Sequence, residues 1–176
     1  MRRIIRNLLL CLAMLGTTSL LGEAVAQETE VNDAARTPAR ISYTDGEASF
    51  WRPGAPEWSR AAINTPLAPG DELATSTRGT LELQVGPRSF VRAWTDTQLG
   101  LSSQEPDFLQ FKVTAGHASF DLRALDPGET VEVDTPNSAI TIDHPGYYRV
   151  EIAGERTAIT TRRGGRATTG PGAHAQ

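Results

Sequence analysis

The sequence predicts an all-β protein: a rolled β-sheet or β-sandwich-like domain with solenoid-like coils, many short strands and no substantial helix in the mature chain. From Ala39 onward, apolar residues recur at every second position over short runs, which is typical of half-buried strands. Glycine, proline or an Asp-Gly pair divides these runs and provides tight turns. No long window of the mature chain carries the period of about 3.6 residues that marks an amphipathic helix.

Each apolar run between two turn signals is predicted to be a strand. The predicted strands are 40–44, 47–52, 57–61, 71–75, 79–85, 89–94, 97–102, 108–114, 117–122, 129–134, 138–142, 146–152, 156–161 and 166–169. Because neighbouring side chains on a strand point to opposite sides, alternation also assigns the buried face. The residues predicted to face inward include Leu81, Leu83, Val85, Leu109, Phe111, Val113, Ala118, Phe120, Leu122, Val131, Val133, Tyr148, Val150 and Ile152. We expect the strands to form one continuous sheet system with one buried side.

A short repeat marks two of the predicted turns. Gly46-Glu47-Ala48-Ser49-Phe50 returns as Gly116-His117-Ala118-Ser119-Phe120, and a shorter echo appears at Gly165-Arg166-Ala167. Glycine fits a turn with positive φ, and the alanine and phenylalanine that follow are predicted to enter the core. The unequal spacing of the copies argues against a regular solenoid and favours a rolled architecture.

Residues 1–26 are predicted to be a cleavable signal peptide. A basic start at residues 1–6 runs into the apolar stretch 8–21, and Ala24-Val25-Ala26 offers the small residues that signal peptidase accepts. Residues 16–19 interrupt the apolar stretch and keep it short of the roughly 20 residues that a membrane span needs. We therefore expect cleavage after Ala26, a periplasmic or secreted product, and no stable membrane insertion after cleavage.

The remaining chain is expected to comprise a disordered leader at 27–38, a β-domain at 39–169 and a flexible tail at 170–176. The leader is polar without periodic apolar positions, and the tail has the composition of a linker. The single cysteine, Cys11, lies in the signal peptide, so the mature chain has no thiol or disulfide. A formal net charge of −4 at pH 7 weighs against nucleic-acid binding, which relies on clustered lysine and arginine.

No motif in the sequence points to catalysis, so we expect the protein not to be an enzyme and to need no cofactor or metal. It has no Gly-x-Ser-x-Gly elbow, phosphate loop or dinucleotide fingerprint, and its three histidines are too scattered to converge on a metal. Glu132, Asp134 and Asp121 are predicted to share the outward side of neighbouring strands, and paired carboxylates can hydrolyse glycosides. Alternating acidic residues are, however, typical of any solvated sheet face.

Outward-facing aromatic residues give the candidate partner-binding site. In the run from Ser89, placing Val91 and Ala93 in the core sends Phe90, Arg92 and Trp94 to the other side. Exposed aromatic residues beside an arginine are enriched at protein interfaces, although a second layer or a loop covering them is the alternative. Trp58 is predicted to be a core anchor instead. The candidate partner-binding residues are Trp94, Arg92, Phe90, Trp51 and Tyr147.

Several of these segments together resemble the FecR-type periplasmic domain, a bacterial β-domain of exported proteins. The resemblance spans residues 40–161 and rests on the order of its motifs. Position 147 holds tyrosine where the family usually has threonine. The motifs are Leu67-Ala68-Pro69-Gly70-Asp71-Glu72-Leu73-Ala74-Thr75, Gly79-Thr80-Leu81-Glu82-Leu83, Val113-Thr114-Ala115-Gly116-His117-Ala118-Ser119-Phe120-Asp121-Leu122, Val131-Glu132-Val133-Asp134-Thr135-Pro136 and Gly146-Tyr147-Tyr148-Arg149-Val150.

The resemblance implies a β-module that presents a surface to a partner. Family members that regulate sigma factors combine a cytoplasmic helical segment, one membrane span and this periplasmic domain. We expect this chain to lack the cytoplasmic anti-sigma segment and the span, and hence the regulator role. We therefore expect an exported, non-catalytic domain that binds an envelope protein partner or scaffolds envelope assembly or signalling. The alternative is a carbohydrate-binding module whose outward tryptophans stack on the sugar rings of peptidoglycan or a surface glycan.

Overall fold

Fourteen strands account for most of the part of the chain that the computed structural model describes, residues 37–171. These residues belong to the second of two units of the chain, 34–176, and they contain no helix. All fourteen predicted strands are present, and their ends lie within two residues of the predicted positions. The strands are β1 (Arg40–Asp45), β2 (Ala48–Trp51), β3 (Ser59–Arg60), β4 (Glu72–Thr75), β5 (Thr80–Gln84), β6 (Ser89–Ala93), β7 (Gln98–Gln104), β8 (Phe108–Ala115), β9 (His117–Leu122), β10 (Thr130–Asp134), β11 (Ser138–Ile142), β12 (Gly146–Ala153), β13 (Arg156–Arg162) and β14 (Ala167–Pro171).

The strands form two sheets rather than the one continuous sheet system that alternation predicted. A six-stranded sheet has the order β1-β5-β6-β9-β12-β13, and an eight-stranded sheet has the order β14-β11-β10-β8-β7-β4-β2-β3. One core of buried apolar residues draws on both sheets, and Phe111 of β8 meets Phe120 of β9 edge-on with ring centroids 5.6 Å apart. Two sheets bury each other's apolar faces, whereas one sheet of this width would leave its apolar face uncovered.

The first seven strands fill one half of both sheets, and the last seven fill the other half. The halves meet along a seam, where β6 pairs with β9 in one sheet and β7 pairs with β8 in the other. Every pairing among the described strands is antiparallel except β8 with β10, which is parallel. These two strands are parallel neighbours because β9, which joins them, crosses to the other sheet. This coil is the solenoid-like feature of the fold.

Alternation predicted the buried side of the strands correctly. Every residue in the list of inward-facing positions is buried except Ile152. Ile152 and Phe50, which was also predicted to enter the core, are half-buried and pack against it. The parallel pairing places Leu109 beside Val131 and Phe111 beside Val133, so that one apolar row continues into the next. The all-β prediction is therefore confirmed together with the strand parity on which it rests.

The repeated glycines mark places where the chain changes sheet. Gly46 (φ 70°) joins β1 to β2, and Gly116 (φ 73°) joins β8 to β9. A Cβ on Gly46 would overlap the carbonyl oxygen of Arg78, and one on Gly116 would overlap backbone atoms of the 96–97 corner. The third echo differs, because positive φ falls on the two residues before Gly165. There a Cβ would come within 3.0 Å of the Tyr148 ring, so glycine serves close packing.

A buried carboxylate fixes the turn before β4. Asp71 is fully buried and accepts hydrogen bonds from the Arg52 Nε (2.9 Å) and Nη2 (2.6 Å) atoms and from the Ala68 amide (2.8 Å). The hydrogen bond to Asp71 raises the pKa of Arg52 above its usual value. Because a buried carboxylate needs such partners, the Pro-Gly-Asp turn is structural.

The ends of the described segment refine the predicted boundaries. Ala39 is buried, while Thr37 and Pro38 are exposed. Gly170 and Pro171, predicted to begin the tail, instead end β14 opposite Ala139 and Ser138. The predicted signal peptide, leader residues 27–36 and residues 172–176 lie outside the described residues. Within the described range, no helix is long and apolar enough to cross a membrane.

Candidate functional site

The outer surface of the six-stranded sheet brings together four of the five predicted site residues. Phe90 and Arg92 lie on β6, Trp94 follows directly, and Tyr147 lies on β12. The intervening strand β9 adds Asp121 between Phe90 and Tyr147. We call this surface the arginine–aromatic face; its members are Glu82, Phe90, Arg92, Trp94, His117, Ser119, Asp121, Arg123, Tyr147, Arg149 and Arg163.

Trp51, the fifth predicted site residue, lies elsewhere. It is on β2 in the eight-stranded sheet, so it does not belong to the same sheet surface as Trp94. Its side chain is half-buried, and its Nε1 donates a hydrogen bond to the carbonyl oxygen of Ala55 at 3.2 Å. Trp51 therefore braces the turn after its own strand.

The guanidinium group of an arginine lies over each of three outward aromatic rings on the face. The Cζ atom of Arg92 lies 5.6 Å from the Trp94 ring centroid. Arg123 lies 5.7 Å from the ring of Phe90, and Arg163 lies 5.8 Å from the ring of Tyr147. Guanidinium groups at these distances are attracted to the ring electrons and are thereby held over the rings. The rings thus act as platforms that orient the arginines.

The carboxylates on the face pair with the arginines without covering them. Asp121 contacts Arg123 at 2.8 Å and Arg163 at 3.3 Å, while Glu82 pairs with Arg92. The arginine side chains nevertheless stay 44–67% exposed. Three arginines and two carboxylates line a groove of about 440 Å³ between Phe90 and Tyr147. The groove therefore offers oriented N–H donors to a ligand that brings negative charge or hydrogen-bond acceptors.

Trp94 is held by its neighbours across the β6–β9 seam. Its Nε1 donates to Ser119 Oγ at 3.3 Å, and its ring stacks on that of His117 with centroids 5.9 Å apart and planes 16° apart. Beneath this pair, the fully buried Thr97 accepts a hydrogen bond from the His117 amide through Oγ1 at 3.0 Å. Thr75 Oγ1 in turn accepts from the Thr97 amide at 3.0 Å. These buried threonines fix the 94–97 corner.

Burial lowers the pKa of His117 below its ordinary value of 6.5, Arg149 lowers it further, and Glu151 partly opposes them. A lowered pKa means that the folded protein resists protonation of this ring more than the unfolded chain does. The contribution of neutral His117 to stability is therefore complete above about pH 6.5 and is lost as the pH falls from there through the folded pKa.

We expect Trp94 fluorescence to report this titration with a midpoint below pH 6.5, because a protonated imidazole stacked on indole quenches its emission. The measurement uses a Trp51→Phe/Trp58→Phe background, so that only Trp94 emits. His117→Gln should remove the fluorescence transition. It should also reduce the fall in the free energy of unfolding between about pH 8 and about pH 5, a range that spans the ordinary histidine pKa. A midpoint at or above the ordinary value would contradict the burial of His117.

Two other expectations are wrong. Trp58, predicted to be a core anchor, is 44% exposed, because it precedes the two-residue edge strand β3 and no further strand covers it. Asp121 does not share a surface with Glu132 and Asp134, because β9 and β10 lie in different sheets. The latter two carboxylates instead accept hydrogen bonds from Gln110 Nε2, each at 2.9 Å.

Sequence reasoning missed the residues that complete the face. Ser119 and Asp121 alternate outward on β9, but their place beside β6 depends on a pairing across two intervening strands. Arg123 and Arg163 lie in connections, where alternation assigns no face. The high share of arginine was the available signal: Lys112 is the single lysine among 17 basic residues.

The described residues contain no group of three or more histidine, cysteine, aspartate or glutamate side chains placed to hold a metal ion. In comparisons with known proteins, no family model, no curated protein and no solved structure matches the chain.

Proposed function

We propose that this chain is an exported, non-catalytic FecR-like domain that binds a protein partner through the arginine–aromatic face. The observation that carries the proposal is the set of three arginine-on-aromatic pairs around one groove. Arginine and aromatic residues are enriched at the energetic centres of protein interfaces. Aromatic rings bury large areas at low entropic cost, and arginine adds charge-assisted hydrogen bonds. The partner would be an envelope protein, and the role would be scaffolding or signalling in the envelope.

The geometry favours a protein partner over the stacking of sugars on tryptophan. Sugar binding of that kind needs open ring faces in a row, whereas Trp94 is stacked on His117 and carries Arg92. Trp51 and Trp94 also lie in different sheets, so they cannot form one binding platform. The charged groove matches the polar and charged groups of a protein surface better than a neutral glycan.

Export is the second part of the proposal, and it is supported by the basic, apolar and small-residue pattern of residues 1–26. Intact-mass measurement of the protein recovered from the periplasm or the medium tests it. The expected product begins at Gln27. A product that retains Met1, or that carries an acyl group on Cys11, would contradict a soluble exported domain.

We expect Trp94→Ala to weaken partner binding by about 2 kcal/mol or more, as truncation of an interface hot spot does. The melting temperature should fall by only a few degrees, because Trp94 is half-buried on the outer surface. Binding is measured by capture from envelope extracts, followed by titration of the captured protein. A parallel sedimentation assay with purified peptidoglycan tests the glycan alternative.

Trp51→Ala is the matched control, since Trp51 is also half-buried but lies in the other sheet. It should leave partner binding unchanged. Equal losses in both variants would show that the arginine–aromatic face is not the binding surface. If the protein sediments with peptidoglycan and Trp94→Ala abolishes this, the ligand of the face is a glycan and not a protein.

A further inference from the structure

In residues 37–171 the two sheets have four edge strands, and three of these are covered, short or end in proline. The outer side of β1 is covered by residues 64–67: the Ile41 amide donates to the Thr65 oxygen at 3.0 Å, and the Asn64 amide donates to the Ile41 oxygen at 2.8 Å. β3 contains only two residues, and β14 ends in Gly170-Pro171. Covering, shortening and proline are the usual ways in which proteins prevent strands from adding to a sheet edge.

β13 is the exception. It pairs with β12 over seven consecutive residue pairs without a bulge, and it contains no proline and no lysine. No described strand pairs with the other side of β13. Every second residue therefore directs its N–H and C=O groups away from β12, in the plane of the sheet. Ile159 at its centre is half-buried and packs against the core. An added strand would therefore find both backbone partners and an apolar contact.

The charges on β13 disfavour a second copy of this chain as the added strand. Arg156 and Arg162 lie at its two ends, both exposed and on the outward row. In an antiparallel pairing of β13 with itself, centred on Ile159, each of these arginines would lie opposite the other from the partner copy. Like charges directly opposite each other destabilise a strand pair, while opposite charges stabilise it.

We propose that the open edge of β13 binds an extended segment of another protein by β-strand addition. The segment has acidic side chains opposite Arg156 and Arg162 and an apolar side chain opposite Ile159. Backbone hydrogen bonds supply the affinity in this mode, and alternate side chains supply the selectivity. The acidic residues lie on the outward side and the apolar residue on the inward side, as the alternation of β13 requires.

This site is separate from the groove of the arginine–aromatic face, although Arg162 lies next to Tyr147 of that face. One partner could occupy both surfaces, yet neither proposal depends on the other. Trp94→Ala therefore distinguishes them: it should weaken binding to the face and leave strand addition at β13 intact.

The test uses a peptide with the β13 sequence in which glutamate replaces both arginines, and a second peptide that keeps the arginines. Isothermal titration with the whole exported protein should show the acidic peptide binding at least about tenfold more tightly, with an affinity that falls as salt rises. Amide hydrogen exchange should slow at the backbone of β13 when the acidic peptide binds.

Two variants and one modified peptide complete the design. Arg156→Glu/Arg162→Glu should reverse the preference, so that the arginine peptide binds more tightly. Arg60→Glu/Arg88→Glu changes two exposed arginines elsewhere and should alter neither affinity. An acidic peptide with N-methyl groups at alternate backbone nitrogens keeps its charge but cannot form the strand hydrogen bonds, and it should not bind.

Three results would overturn the proposal. Equal affinities of the acidic and arginine peptides would show that charge pairing with Arg156 and Arg162 does not contribute to binding. Undiminished binding of the N-methylated peptide would show attraction of charges without an added strand. Sedimentation velocity showing that the wild-type protein dimerises, with amide protection at β13, would make this edge a contact between identical chains.

Discussion

Replacing Phe120 with alanine is expected to lower the free energy of unfolding by about 3–5 kcal/mol. Phe120 is fully buried at the centre of β9, and its ring packs edge-on against Phe111 of the opposite sheet. Its removal empties a site bounded by both sheets, and strands held by ladders on each side cannot close the space. Urea unfolding followed by circular dichroism measures the loss.

Phe90→Ala is the matched control, because Phe90 lies on the neighbouring strand β6 and points to the outer surface. Its ring is half-buried under Arg123, so we expect a loss of about 1 kcal/mol. A loss below about 1 kcal/mol for Phe120→Ala, or the reverse order of the two variants, would show that β9 is shifted by one residue and presents its other face to the core.

Replacing Gly116 with alanine is expected to lower the free energy of unfolding by about 3 kcal/mol or more. Two effects combine: at φ 73° a residue with a Cβ is strained by roughly 1–2 kcal/mol, and that Cβ would overlap the Asp96 carbonyl oxygen and Thr97. Either the corner at Asp96 moves or Gly116 leaves its conformation. Because that corner positions Trp94, the emission of Trp94 should change as well as the melting temperature.

Gly154→Ala separates the two effects. Gly154 also has positive φ, at 60°, but nothing lies within 4 Å of a Cβ built there. This variant should show only the backbone strain, about 1–2 kcal/mol, and no change in Trp94 emission. Equal costs for the two variants would mean that the close approach at Gly116 contributes nothing to stability.

The strands and their buried sides were predictable because both depend on neighbouring residues. Leu81 and Leu83, separated by Glu82, specify a half-buried strand regardless of what lies beside it. The same local logic placed turns at Gly46 and Gly116, where both glycines have positive φ.

The distribution of strands between two sheets was not predictable in the same way. Trp51 and Trp94 both alternate with inward residues, yet their strands belong to different sheets. Alternation says which side of a strand faces the core but not which layer the strand joins. The prediction that Trp58 is buried was wrong for a related reason. A large apolar side chain is buried only where another element covers it, and Trp58 precedes the edge strand β3.

The same limit applies to the arginine–aromatic face. Phe90, Arg92 and Trp94 were found because they alternate along one strand. Asp121 and Tyr147 join them through pairings between strands that are distant in sequence, which a single sequence does not reveal. The face therefore combines one locally encoded row with neighbours that only the tertiary structure supplies.

The seam between the two seven-strand halves gives the groove a particular property. Phe90 and Arg92 come from the first half, whereas Asp121 and Tyr147 come from the second. A cut in the β7–β8 turn, at residues 105–107, would divide the chain into two pieces that each carry part of the groove. A ligand that needs the whole groove binds only the rejoined form, so it favours rejoining by mass action. The severed protein would thus act as a split reporter, in which reassembly signals the ligand.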